Sequence, residues 1–137
     1  MVGTVSAEVL EQRKNTSIYV VESDPSTRAE LNSALAGLPW PVVSYETPQA
    51  FFAAIPASAR GCVVANIELV DMPISNFLQI IEDNRHQLVV ILLSRNFEIP
   101  AAVAAMRAGV HDVIQLPVIE RALRRQIRDA ISIQAES

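Results

Sequence analysis

The chain has 137 residues, half of them apolar, with 11 basic and 15 acidic side chains and a net charge of −4. That length suits one domain around one substantial core, the longest apolar runs fall far short of the ~20 residues a membrane helix needs, and the acidic balance speaks against a general electrostatic pull toward nucleic acid. A lone cysteine, Cys62, excludes an internal disulfide and a cysteine-built metal cluster, and its setting in GCVVANI predicts a small buried side chain.

Residues 1–16 mix polar and charged side chains with Val5, Val9 and Leu10, and read as a tail or short helix. They lack a charged start followed by an apolar stretch, so no secretory signal is expected and the expected compartment is the cytoplasm. The β-branched and aromatic run IYVV, 18–21, predicts a buried strand that ends in Glu22, Ser23 and Asp24. Asp24-Pro25 is a helix start, because the carboxylate can accept the first amide protons and proline is tolerated at the first helical position. Thr27, Leu31, Ala34, Leu35 and Leu38 share the helix face that follows, up to a stop at residues 37–39.

The cycle then repeats. VVSY, 42–45, predicts a short strand, and Thr47-Pro48 starts a helix with Phe51, Phe52 and Ile55 on its apolar face. CVVANI, 62–67, is the third strand, and a helix marked by Ile74, Phe77, Leu78 and Ile81 follows, with Asp71 expected to cap its start near Pro73. LVVILLS, 88–94, is the fourth strand. Its helix carries Ile99, Ala102, Val103 and Met106 on one face and ends at Gly109, which suits a left-handed cap. DVIQ, 112–115, is the fifth strand, and Ile119, Leu123, Ile127 and Ile131 line the last helix. Five strands alternating with five helices, two of the strands apolar throughout, predict a doubly wound α/β fold with a parallel sheet covered on both faces. A site in such a fold sits at the carboxyl ends of the strands. Here those ends are Glu22 to Asp24, Asn66, Ser94 and Gln115 to Pro117.

The stretch IYVVESDPSTR resembles the first strand and turn of response-regulator receivers, an apolar run closed by acidic residues. More specifically, VVILLSRNFEIPAAVAAMRAGVHDVIQLP is similar to the receiver pattern of strand, Ser/Thr, helix ending in Ala-x-x-Ala-Gly-Ala-x-Asp-Phe, then Lys-Pro; Met106 to Gly109 and Asp112 keep that register without a gap. The resemblance covers residues 17–132, leaving 1–16 and 133–137 as tails, and implies the flavodoxin-like, CheY-like strand order 2-1-3-4-5. It also implies a chemistry: a phosphoryl group moves from a partner histidine to an aspartate at the end of strand 3. Magnesium on acidic residues and a lysine assist, and a Ser/Thr at the end of strand 4 reads the phosphate.

Carried over position by position, the acidic pair falls on Glu22 and Ser23, the acceptor on Asn66, the switch hydroxyl on Ser94 and the lysine on Leu116. Pro117 keeps the proline that in the family follows a cis peptide. An amide is a poor nucleophile, magnesium favours anionic oxygens that Ser23 and Asn66 do not supply, and Leu116 offers no cation to the transferred group. Val70 and Ile74 replace a proline and a glycine of the loop after the acceptor, and Val113 is too small for the aromatic switch. The expectation is therefore a degenerate receiver with no catalytic residue, metal or cofactor.

Helix capping and solvated charge account for Glu22 and Asp24 as well as a remnant ion site would. His86 and His111 have no metal-ligand spacing. Arg121, Arg124, Arg125 and Arg128 on the last helix are candidates for a protein interface, with direct nucleic-acid binding not expected. The expected function is a phosphorylation-independent regulatory module of a two-component-type system, acting on a protein partner or as a homodimer, and belonging to the N-terminal part of a transcriptional regulator if a DNA-binding domain follows. The alternative is a small-molecule sensor in which Ser23, Asn66, Ser94 and Leu116 line the vacated pocket.

Overall fold

The computed structural model describes residues 16–84, 87–96 and 98–136; the expectations for the first fifteen residues and for His86 lie outside that range. Five strands alternate with five helices: β1 (Thr16–Val21), α1 (Pro25–Leu35), β2 (Val42–Tyr45), α2 (Pro48–Ala54), β3 (Arg60–Asn66), α3 (Ile74–Asp83), β4 (Gln87–Ser94), α4 (Ile99–Arg107), β5 (Asp112–Gln115) and α5 (Glu120–Glu136). All pairings are parallel, in the order β2-β1-β3-β4-β5. The β1–β3 and β3–β4 registers bring Val21 beside Ala65 and Asn66 beside Leu93, which sets the ends of the three central strands side by side.

Because successive strand residues point to opposite faces, each buried strand feeds two cores. Ile18, Val20, Cys62, Val64, Ile91 and Leu93 face one way and meet Leu31 and Leu35 of α1 and Leu123 and Ile127 of α5. Tyr19, Val21, Val63, Ala65, Val90 and Leu92 face the other way, against Phe51 of α2, Phe77 and Ile81 of α3 and Ala105 of α4. Phe51 anchors this second core, edge-on to Tyr19 and Tyr45 with ring centroids 5.6 and 5.5 Å away. Cys62 is fully buried, and that burial pushes its thiol far above the ordinary value, so it packs as a small apolar group.

Helix ends follow the local chemistry of the sequence. Asp24 caps α1 by accepting from the Thr27 amide at 2.8 Å, and the Thr47 hydroxyl accepts from Ala50 N–H at 3.1 Å at the start of α2. Gly109, at φ 97°, ends α4: its N–H donates to the Met106 carbonyl and that of Val110 to Ala105, the paired bonds of a Schellman turn.

Several features depart from expectation, among them β3, which starts at Arg60 and leaves Ile67 outside, and α1, which ends before Leu38. Asp71 does not cap α3, whose N-cap Pro73 has no side-chain bond; Asp71 is exposed at φ 65° in the turn before it. The apolar stripe of α4 faces solvent, with Ile99 71 %, Val103 42 % and Met106 48 % exposed, and only Ala105 of this helix is buried. Ile119 stands outside α5 at 69 % exposure, while Leu123, Ile127 and Ile131 are buried as a stripe. Finally, β1 takes in Thr16, and α5 runs on to Glu136, past the boundary expected at 132.

Candidate functional site

The carboxyl ends of β1, β3 and β4 converge on a small polar cluster. Glu22, one residue beyond β1, is only 3 % exposed. Its Oε1 accepts from the Asn66 amide at 3.0 Å and its Oε2 from the Asp24 N–H at 3.2 Å. A buried carboxylate needs such donors to offset lost hydration. Asn66, the last residue of β3, is half-buried, and its Oδ1 accepts from the Glu68 N–H at 2.9 Å. Both ends of this amide are therefore engaged.

Asp24 binds forward as well as back. Its Oδ2 accepts from the Thr27 hydroxyl at 2.7 Å and from the Thr27 amide, and those two bonds, against the opposing effect of desolvation and with lesser help from the charges of Arg95 and Arg28, hold its carboxyl below the usual value of 3.8. Arg95, the residue after β4, donates through Nη2 to the same Thr27 hydroxyl at 2.9 Å. Arg28 donates to the Glu22 carbonyl at 2.9 Å and pairs with Glu46 at 3.4 Å on the rim.

Glu22, Asp24 and Asn66 are thus joined in one network, and Ser23 is exposed beside them. Ser94 is 4 % exposed, and its hydroxyl has no hydrogen-bond partner among the described residues. Leu116 lies elsewhere: at 5 % exposure it packs with Leu93, Leu123 and Ile127 in the core beneath α5, as an apolar side chain must when apolar neighbours are within reach. Ser23 and Asn66 line one cleft with Glu22, and neither Ser94 nor Leu116 is among its lining residues. The cleft beside Glu22, Ser23 and Asn66 has about 160 Å³ of empty space and none that admits a water-sized sphere. The Leu116–Pro117 peptide is cis, as the Lys-Pro resemblance implied.

Three contributors, Thr27, Arg28 and Arg95, were absent from the sequence expectation for the site. Thr27 was visible only as a helix-face residue, and nothing in the local sequence of Arg95 indicates a partner 68 positions away.

The arginines of α5 divide in two. Arg124 is committed within the chain: Nε donates to the Ala34 carbonyl at 2.8 Å, Nη2 donates to the Ala36 carbonyl, and Glu120 lies 3.4 Å away. It caps the carboxyl end of α1, where helix carbonyls lack partners, so much of its hydrogen-bonding capacity is used within the chain. Arg121, Arg125 and Arg128 are exposed. His111 is mostly buried, with Nε2 4.0 Å from Asp129.

Among known proteins, the response regulator receiver domain model matches residues 18–128. The transcriptional regulatory protein FixJ of Bradyrhizobium diazoefficiens is 29 % identical over 119 residues, covering 87 % of this chain and 58 % of FixJ. The response regulator protein TodT of Pseudomonas putida is 25 % identical over 116 residues, covering 85 % of this chain and 51 % of TodT. The chain therefore spans little more than half the length of these relatives. A crystal structure of a response regulator receiver protein from Pseudoalteromonas atlantica superposes with a TM-score of 0.74 at 28 % identity, covering 84 % of this chain and 96 % of that one. Full-length FixJ from B. japonicum superposes at 0.79 with 28 % identity, over 88 % of this chain and 59 % of that one. The chain belongs to the response regulator receiver domain family.

Proposed function

We propose that this receiver acts without phosphorylation, as a regulatory module of a two-component-type system that works through protein contact. The observation that carries the proposal is the state of Asn66. It stands at the end of β3, where the resemblance puts the acceptor aspartate, and it offers a neutral amide already bonded to Glu22 and Glu68. Such a group supplies no anionic oxygen to attack phosphorus. The surroundings support the same conclusion. Both Glu22 oxygens are taken by donors from the chain, Ser23 is neutral, and Leu116 is in the core, so the donor set does not fit magnesium and the position of the family's lysine supplies no cation.

The contact surface we assign is the side of the molecule built from α4, β5 and α5, where α4 presents Ile99, Val103 and Met106 to solvent and α5 presents Arg121, Arg125 and Arg128. Exposed apolar side chains in a contiguous strip, accompanied by arginine, have the composition of protein interfaces. Direct nucleic-acid binding is not assigned to this domain. FixJ and TodT are longer than this chain, and a DNA-binding domain beyond Ser137 would make this the input half of a transcriptional regulator.

The experiment is intact-mass measurement after incubation with a small acyl-phosphate donor and magnesium. The expected mass is unchanged. A stable gain of one phosphate overturns the proposal.

A further inference from the structure

The hydrogen bonds of the site join end to end. Arg95, opening the connection from β4 to α4, donates to the Thr27 hydroxyl; that hydroxyl donates to Asp24; the Asp24 N–H donates to Glu22; Glu22 accepts from Asn66; and Asn66 accepts from the Glu68 N–H in the connection from β3 to α3. Each link is between 2.7 and 3.2 Å. The path starts in one surface connection and ends in another, crossing the amino end of α1 and the ends of β1 and β3 on the way.

We infer that this path is a built-in clasp, with Arg95 as its positioning residue: it ties the β4–α4 and β3–α3 connections together through the chain's own side chains and so holds α4 with its apolar strip outward. The inference rests on the phosphorylation-independent function proposed above and names how that surface is kept in one arrangement. Three details make the links interdependent. The Thr27 hydroxyl has one proton, which goes to Asp24, and its lone pair is what Arg95 binds, so losing either partner changes the bond to the other. Glu22 is buried, which makes its two donors costly to lose. Arg28 fixes the backbone of the same segment by donating to the carbonyls of Glu22 and Ser23 at 2.9 and 3.4 Å, so the β1–α1 turn cannot shift to compensate.

The test is residue-resolved amide exchange of the whole chain in wild type, Arg95→Ala, Thr27→Val and Thr27→Ser. Arg95 is exposed, Thr27→Val keeps the β-branched outline while removing the hydroxyl, and the Val64 amide reports whether the fold as a whole has loosened. Residues coupled through one network respond together, so Arg95→Ala and Thr27→Val should each speed exchange of the Glu68 amide by about threefold or more. Thr27→Ser, which keeps the hydroxyl, should leave it at the wild-type rate, and the buried Val64 amide should not change in any variant. Two results overturn the clasp: an unchanged Glu68 amide in both disruptive variants, or acceleration of Val64 by the same factor, which marks general loosening. Either would leave the phosphorylation proposal standing, because that one is decided by the mass of the wild-type chain.

Discussion

At Asn66 a single atom decides the character of the site. Its Nδ2 donates to Glu22 Oε1 at 3.0 Å, and Asn66→Asp replaces that donor with an oxygen bearing charge. A buried acceptor loses its partner, and two carboxylates come to face each other, which opposes ionisation of the new one. The variant should lose about 2 kcal/mol of stability at neutral pH, with a smaller deficit near pH 5, where a shared proton relieves the repulsion; urea unfolding at both values checks this, and an undiminished deficit in acid would show that repulsion is not the cause. Nor should Asn66→Asp alone accept phosphate. Ser23→Asp and Leu116→Lys are also needed, and the second displaces a core side chain, so the triple variant should be less stable still by about 2 kcal/mol or more. At Asp24 the pH dependence has the opposite sense. Folding lowers its carboxyl below 3.8 through the two Thr27 bonds, so the unfolded chain binds the proton more readily. The contribution is fully present above 3.8 and is lost as pH falls through the lowered folded value, and Asp24→Asn should flatten the acid limb of the unfolding midpoint against pH. Much of this site was legible. Glu22, Asp24 and Asn66 follow from position at strand ends, whereas the side-chain direction of Leu116 and the reach of Arg95 depend on neighbours that no local pattern names.

Elements were legible where the chain punctuates itself. The limits of β2 and β5 coincide with VVSY and DVIQ, and the α1 face of Thr27, Leu31, Ala34 and Leu35 is buried throughout, with Leu38 buried just past the helix end, because proline, glycine and short polar residues bracket strongly periodic segments. Periodicity gives a stripe but not its neighbour. The stripe on α5 meets the sheet and the one on α4 meets water, a difference set by packing and not by composition. Gly61 was passed over for a related reason: its partner is backbone. It sits in β3 at φ 126°, and an added Cβ would lie 2.0 Å from the Ser17 carbonyl oxygen of β1. Gly61→Ala should cost about 3 kcal/mol, since the left-handed strain and the clash both fall on a central strand pair; a melting temperature equal to wild type would contradict it. Arg124 makes the corresponding case between helices. Truncating it to alanine strips donors from the Ala34 and Ala36 carbonyls at the end of α1 and should cost about 1–2 kcal/mol, while Arg121→Ala and Arg125→Ala should stay within about 0.5 kcal/mol.

On the scale of the whole molecule, α4 and α5 each carry an exposed feature that bears on the contact surface proposed above. The α4 strip of Ile99, Val103 and Met106 leaves apolar area in water that folding alone does not recover, and the arginines of α5 add charge that an overall acidic chain of net −4 does not otherwise concentrate there. Removing such a strip from water is favourable by roughly 25 cal/mol per Å², which a partner or a second copy can gain and the isolated domain cannot. For a homodimer, association should then depend on the strip and not on the phosphorylation pocket. Sedimentation equilibrium should show a concentration-dependent rise in mass for the wild type, retained in Asn66→Ala and lost in Val103→Glu, which places a charge at the centre of the apolar strip without touching either core. Because Val103 is 42 % exposed, the change should leave the urea midpoint nearly unaltered, separating lost association from lost folding. A strict monomer at high concentration removes the second copy as occupant and leaves a heterologous partner. Association that survives Val103→Glu would place the contact away from α4.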